Sequence, residues 1–205
     1  MSHIKCALWV LIVILPFQVF AAGVEALVED CGGCHGALGV STESDVPTIA
    51  GQPAQYLADS LQAYQEWERP CIKSVYRHGD TSRAQTTMCA ISKTLGDDEI
   101  EALGQYYAAQ KFIPAAQDFD AAMAETGGDL HEIHCETCHK MGGTIAGRGP
   151  ILAGQWAPYL KTAIRQASGG EHLVPPIMEK RLLDFLDEEI EALVNFYASQ
   201  QYIPN

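Results

Sequence analysis

The chain has 205 residues, of which 47% are hydrophobic and 19% charged, an ordinary globular balance. Its net charge of −13 disfavours nucleic acid and anionic membranes as partners and favours a partner with a basic face, although such acidity also serves solubility. In chain order the first element is an export signal. Met1 to Lys5 is a charged start, Ala7 to Phe20 is apolar apart from Gln18, and Val19-Phe20-Ala21 is a small-residue cleavage pattern. Residues 1–21 therefore read as a signal peptide, too short for a comfortable membrane span, with an uncleaved anchor as the alternative. This places the mature chain in the periplasm, where free thiols tend to be used up. Cys6 leaves with the signal.

The remainder is an internal repeat. Cys31-Gly32-Gly33-Cys34-His35 recurs as Cys135-Glu136-Thr137-Cys138-His139, an offset of 104 (31 to 135). Pro47-Thr48-Ile49-Ala50-Gly51-Gln52 recurs as Pro150-Ile151-Leu152-Ala153-Gly154-Gln155 at an offset of 103 (52 to 155), and Tyr56-Leu57 as Tyr159-Leu160. Towards the end of each copy, Glu101-Ala102-Leu103 matches Glu191-Ala192-Leu193 at an offset of 90 (101 to 191), and Ile113-Pro114 matches Ile203-Pro204. The drop from 103 to 90 locates an extra segment of thirteen residues in the first copy. The expected units are 22–113 and 127–205, joined by a linker over 114–126, rich in alanine and acidic residues and closed by Gly127-Gly128.

Within each unit the periodicity is helical. Leu57, Leu61 and Tyr64 share one face, as do Leu160 and Ile164. Asp97-Asp98-Glu99 and Asp187-Glu188-Glu189 put acids at helix starts, where the dipole favours them. Each is followed by an apolar stripe: Ile100, Leu103 and Tyr107, then Ile190, Leu193 and Tyr197. No alternating strand pattern appears. Units this small have little core of their own, and a large buried cofactor would supply one.

Three chemistries compete for Cys-x-x-Cys-His. A redox dithiol needs a βαβ setting that the pattern lacks. A zinc site needs four ligands. The first unit could add Cys71 and Cys89, but the second has nothing at those positions. Covalent haem attachment fits both copies: two cysteines reach the porphyrin vinyl groups and the adjacent histidine ligates the iron. Cys31, Cys34, Cys135 and Cys138 are the expected thioether residues, with His35 and His139 as axial ligands. Met88 and Met178, the only methionines that match between copies, are the expected sixth ligands. His78 and His172 are rivals that do not align with each other and read as surface residues. His131 and His134, without counterparts, read as surface residues too.

The Pro47 and Pro150 carbonyls are candidates to accept from the Nδ1–H of each axial histidine, or else simply shape turns. Trp156 reads as packing on the second porphyrin or as an interface anchor. Once four cysteines hold haem, Cys71 and Cys89 remain, and a disulfide between them is expected to pin the Met88 loop.

These motifs resemble the dihaem class I cytochromes c, all-α proteins with two tandem domains, each a few helices around one covalently bound haem. The resemblance covers nearly all of the mature chain. In the second half, Pro114-Ala115-Ala116-Gln117-Asp118-Phe119-Asp120, Ile151 to Leu160, Met178-Glu179-Lys180 and Phe196 to Gln201 are similar to the cytochrome subunit of flavocytochrome c sulfide dehydrogenase. That resemblance implies single-electron transfer without catalysis by this chain. It also implies an FAD-containing sulfide-oxidising flavoprotein as partner and another redox protein as acceptor. A free-standing shuttle feeding a terminal oxidase is the alternative, and a haem enzyme with a displaceable sixth ligand is a third. The longer segment from Arg69 to Cys89 departs from the subunit's pattern and puts the docking surface near the first haem in question.

Overall fold

The computed structural model describes residues 19–147 and 149–201, with side chains from residue 23. Nearly all of the expected signal peptide, and the closing Ile203-Pro204, lie outside the described residues. The order is α1 (Val19–His35), a 3-10 turn (Ala37–Gly39), α2 (Ala54–Gln65), β1 (Lys73–Ser74), β2 (Thr86–Thr87), α3 (Met88–Ser92) and α4 (Asp97–Ala108). The second unit repeats it with α5 (Ala121–His134), α6 (Lys140–Gly143), α7 (Ala157–Ser168), α8 (Pro176–Leu182) and α9 (Asp187–Ser199). The fold is all-helical apart from β1 and β2, a two-stranded antiparallel ribbon in the extra segment, too short to show an alternating pattern.

The apolar stripes are the cores. Ile100, Leu103 and Tyr107 are buried on α4 beside Leu57 and Leu95; Ile190, Leu193 and Tyr197 are buried on α9 beside Leu160, Ile164 and Leu182. The acids at each helix start also act as caps. Glu99 accepts from the Gly96 N–H at 2.9 Å and Glu189 from the Leu186 N–H at 2.8 Å, satisfying donors that the first turn leaves free.

Helix α5 opens at Ala121, inside the segment expected as linker, because Asp120 caps it through the N–H groups of Ala122 and Met123. Gly127 then lets α5 cross α9 closely: a Cβ there would lie 2.0 Å from the Ala192 carbonyl oxygen. The glycine pair expected to close the linker lies within α5, at its crossing with α9.

The two units meet along a seam with near two-fold repetition. The Gln52 amide donates to the Ile151 carbonyl at 3.1 Å and accepts from its N–H at 2.8 Å. Gln155 does the same to Thr48, accepting at 2.9 Å and donating at 2.9 Å. The donors and acceptors are related by the same 103-residue offset as the sequence repeat (52 to 155, 48 to 151). Trp156 adds an Nε1–H bond to the Ser41 carbonyl at 3.0 Å, so it anchors the seam.

Substituting Gly127→Ala should lower stability by at least about 2 kcal/mol through overpacking. Gly128→Ala, whose Cβ would meet only the Phe196 ring at 3.4 Å, should be neutral or slightly stabilising. Urea midpoints of the haem-loaded proteins measure the difference.

Candidate haem-attachment sites

In the first unit the motif forms the last turns of α1, so Cys31, Cys34 and His35 sit on one short stretch of helix. Cys31 packs on the unit's core. His35 is buried, and its Nδ1 lies 2.9 Å from the Pro47 carbonyl. A carbonyl only accepts, so Nδ1 carries the proton and the Nε2 lone pair is left free. Burial lowers the His35 pKa, opposed by the Pro47 carbonyl. The ring is therefore held in the form and tautomer that a metal requires.

In the second unit α5 ends at His134, and the motif forms a turn closed by the Cys138 and His139 N–H groups on the Cys135 carbonyl, at 3.1 and 2.9 Å. His139 is buried, and burial lowers its pKa, opposed by the nearby Pro150 carbonyl, although no hydrogen bond of good geometry forms at its Nδ1. Gly149 presses on this ring, since a Cβ there would lie 2.6 Å from His139 Cε1. Cys135 and Met178 both pack against the core cluster of the second unit. Met88 is half-buried at the start of α3, behind the Thr87 cap, and stands outside the corresponding first cluster.

Cys31, Cys34 and Cys135 are poor thiolates. Burial raises the Cys31 pKa to about 11 and pushes Cys34 and Cys135 upward as well. A reactive redox dithiol would need the opposite shift. Among the described residues no group of three or more His, Cys, Asp or Glu side chains is placed to hold a metal ion. Paired thiols beside a buried histidine with a free ring nitrogen fit a covalently attached haem.

The extra segment makes the two sites unequal. The Cys71–Cys89 disulfide expected from the sequence is present. The loop it closes lies across the first motif: the Arg77 and His78 N–H groups bond the Gly33 carbonyl at 2.8 and 3.0 Å. Tyr76 is buried over Gly33, where a Cβ would lie 2.7 Å from its ring, and Arg83 stacks on Tyr76 while pairing with Asp30. The Cys34 thiol reaches the Val75 carbonyl at 3.6 Å. In the second unit Cys138 is exposed.

Three histidines depart from the sequence reading. His131 is buried, not on the surface: its Nε2 donates to the Glu136 carboxylate at 2.8 Å, and its Nδ1 shares a 2.9 Å hydrogen bond with the Tyr197 hydroxyl. His78 and His172 are half-buried, each with one ring nitrogen enclosed and unpartnered. His134 stacks edge-on against Phe185. The seam glutamines were visible in the repeat, but nothing local in the sequence marked them as clamps.

Comparison with known proteins agrees with this geometry. Residues 20–109 match the family described as cytochrome c, and residues 122–196 match cytochrome C oxidase, cbb3-type, subunit III. The chain is 30% identical over 202 residues to a thiosulfate dehydrogenase electron acceptor of Thiomonas intermedia, covering 92% of this chain and 86% of that one. It is 31% identical to cytochrome c4 of Pseudomonas aeruginosa, over 68% of this chain and 67% of the relative. Reduced cytochrome c4 from Pseudomonas stutzeri superposes with a TM-score of 0.69, at 24% identity, over 88% of this chain and 98% of that one. Two helical units of this kind define an electron-transfer protein. The chain belongs to the dihaem class I cytochrome c family and carries two covalently attached c-type haems.

The Glu136 carboxylate is lowered from its ordinary 4.5 to about 2, first by the Gly142 and Met141 N–H groups and then by His131. Its stabilising contribution is complete above pH 4.5 and is lost as the pH falls towards 2. Glu136→Gln should cost about 1 kcal/mol at pH 7, allowing for its exposure, and that cost should shrink below pH 4.5 and vanish only as the pH falls to about 2. Urea titrations at neutral pH and near pH 2 check this.

Proposed function

We propose that the protein accepts single electrons from a periplasmic dehydrogenase that oxidises a reduced sulfur compound, and passes them to another redox protein. Cys31, Cys34, His35 and Met88 would hold one haem, and Cys135, Cys138, His139 and Met178 the other. An iron held between imidazole nitrogen and thioether sulfur changes oxidation state without opening a coordination position, which suits electron transfer over catalysis. The chain's own residues fix those ligands. Pro47 sets the His35 tautomer, and the Thr87 cap together with the Cys71–Cys89 bridge fixes the start of α3 from which Met88 projects.

The observation that carries this reading is the match over nearly the whole chain to a thiosulfate dehydrogenase electron acceptor. It supports thiosulfate as the electron source over the sulfide-oxidising flavoprotein that the sequence resemblance implied. The similarity to cytochrome c4 supports a second reading, a free-standing shuttle without a dedicated dehydrogenase. Export fits the apolar leader. Among the described residues no helix is long and apolar enough to cross a membrane.

Gentle purification of the native protein separates these readings. Co-elution with a dehydrogenase and haem reduction on adding thiosulfate is the expected result. Reduction by sulfide through a flavin subunit would replace thiosulfate with sulfide. A lone cytochrome indifferent to both would leave the shuttle. Met88→Ala and Met178→Ala should each remove about half of the methionine–iron(III) absorption band. Each should also lower one haem's redox equilibrium more than tenfold, at 59 mV per factor of ten. Retention of the full band in either variant would overturn that ligand.

A further inference from the structure

The two units hold the same tyrosine in different company. Tyr107 and Tyr197 end the apolar stripes of α4 and α9 at the 90-residue offset (107 to 197), and both are buried. The Tyr107 hydroxyl donates to the Val28 carbonyl at 3.4 Å, whereas the Tyr197 hydroxyl meets His131 Nδ1 at 2.9 Å. The 104-residue offset of the Cys-x-x-Cys-His motifs places Leu27 opposite His131 and Gly32 opposite Glu136 (27 to 131, 32 to 136), so the first unit has no counterpart of either ionisable group. His131 is 2% exposed, and its other nitrogen bonds the Glu136 carboxylate at 2.8 Å. Neither the thioether nor the axial chemistry assigned above uses this histidine.

The three side chains run from the attachment site to solvent. Burial raises the Cys135 pKa, and the adjoining Tyr197 hydroxyl opposes it, so the phenol sits beside the thioether sulfur. At the other end the Glu136 side chain is 40% exposed. The Met141 and Gly142 N–H groups bond one carboxylate oxygen each, at 2.8 and 3.1 Å, which keeps Glu136 ionised. The ionisable groups that face the ring from neighbouring elements are Glu136 and His139 of the motif turn and Tyr197 of α9. Also on α9, Phe196 lies 5.2 Å from the ring and Glu191 pairs with Lys161. Lys140 of α6 is exposed, as are Asp129 and Glu132 of α5, and His134 stacks on Phe185.

These partners satisfy His131 in either protonation state. Neutral, the ring donates from Nε2 to Glu136 and accepts at Nδ1 from the Tyr197 O–H. Protonated, it donates from both nitrogens: Glu136 still accepts, and the Tyr197 oxygen accepts from Nδ1–H. The Tyr197 proton is then free to turn towards the Cys135 sulfur, and no heavy atom has to move. The Glu136 carboxylate supplies the counter-charge that a buried imidazolium requires. Charge on His131 also acts on His139, after burial and the Pro150 carbonyl. The first unit offers Tyr107 only a backbone carbonyl, which accepts and never titrates.

We infer that His131, held between Glu136 and Tyr197, is a redox-linked proton site that takes one proton from solvent when an electron enters the second haem and returns it when the electron leaves. This rests on the assignment of Cys135 and His139 to the second attachment site. The electron comes from the protein's own donor, the proton settles on His131 Nδ1, and together they leave the net charge of the site unchanged. A proton on His131 favours reduced iron, so the second potential falls as the pH rises. Leu27 and Gly32 deny the first haem this device.

The test uses haem-loaded wild type, His131→Gln, Glu136→Gln and Tyr197→Phe, with two haems per chain confirmed by mass and an intact methionine–iron band. Those two checks report on the attachment and axial assignments separately. Both potentials are measured from about pH 5 to about pH 8, the range in which imidazoles ordinarily change charge. In the wild type one potential should fall across that range by about threefold in the redox equilibrium, or about 28 mV at 59 mV per factor of ten, while the other stays level. His131→Gln keeps a donor and an acceptor but binds no proton, so both potentials should be level. Glu136→Gln, which removes the counter-charge, and Tyr197→Phe, which removes the acceptor for Nδ1–H, should each move the step to lower pH. Two level potentials in the wild type, two that change alike, or a step that survives in His131→Gln would each overturn the proposal. If His131→Gln does not accumulate, the histidine ring resonances of the wild type decide: no ring outside the iron ligands titrating differently in oxidised and reduced protein would overturn it too.

Discussion

Gln52 and Gln155 each bury a side-chain amide against the backbone of the opposite unit, and each completes both halves of one residue's hydrogen-bonding capacity. A buried N–H and C=O left open would each cost about 1–3 kcal/mol, so the seam is held as much by the penalty for parting as by the bonds themselves. Because Thr48 follows Pro47, and the Pro47 carbonyl orients His35, the clamp is one residue from the support of the proposed axial ligand. The relative placement of the two sites, on which the passage of an electron between them depends, is thereby tied to the geometry inside each.

Much of this was legible in the sequence, for reasons that can be stated residue by residue. Ile100, Leu103 and Tyr107 announce their helix because burial imposes a 3.6-residue period, and the repeated Cys-x-x-Cys-His announces its cofactor because few other chemistries need that set. What was not legible depends on partners distant in sequence. His131 lacks a counterpart and so read as surface, yet Tyr197 and Glu136 satisfy its two nitrogens, one of them from 66 residues away. Residues 121–126 carry linker composition, but small residues also suit a helix that must approach another closely, and only the packing of Gly127 on Ala192 distinguishes the two cases.

The extra segment breaks the equivalence that the repeat would otherwise impose. Residues 69–89 cover the Cys-x-x-Cys-His turn of the first unit with backbone bonds to Gly33, the Tyr76 ring and the Arg83–Asp30 pair, whereas Cys138 of the second unit faces solvent. The same segment contributes Arg69 to the seam and Cys89 next to Met88. One insertion thus touches the outer face of the first site, the proposed sixth ligand of its iron and the boundary with the second unit.

The disulfide within that segment also bears on how the chain matures. Any milieu oxidising enough to join Cys71 to Cys89 is oxidising enough to join Cys31 to Cys34, or Cys135 to Cys138, and six thiols admit fifteen complete pairings. Only one of those bonds belongs in the finished molecule. The other four sulfurs must stay reduced until porphyrin reaches them, and the raised pKa values of Cys31, Cys34 and Cys135 slow the thiolate chemistry that would capture them early. The partial burial of Cys31, Cys34 and Cys135 therefore protects an order of assembly as well as a fold.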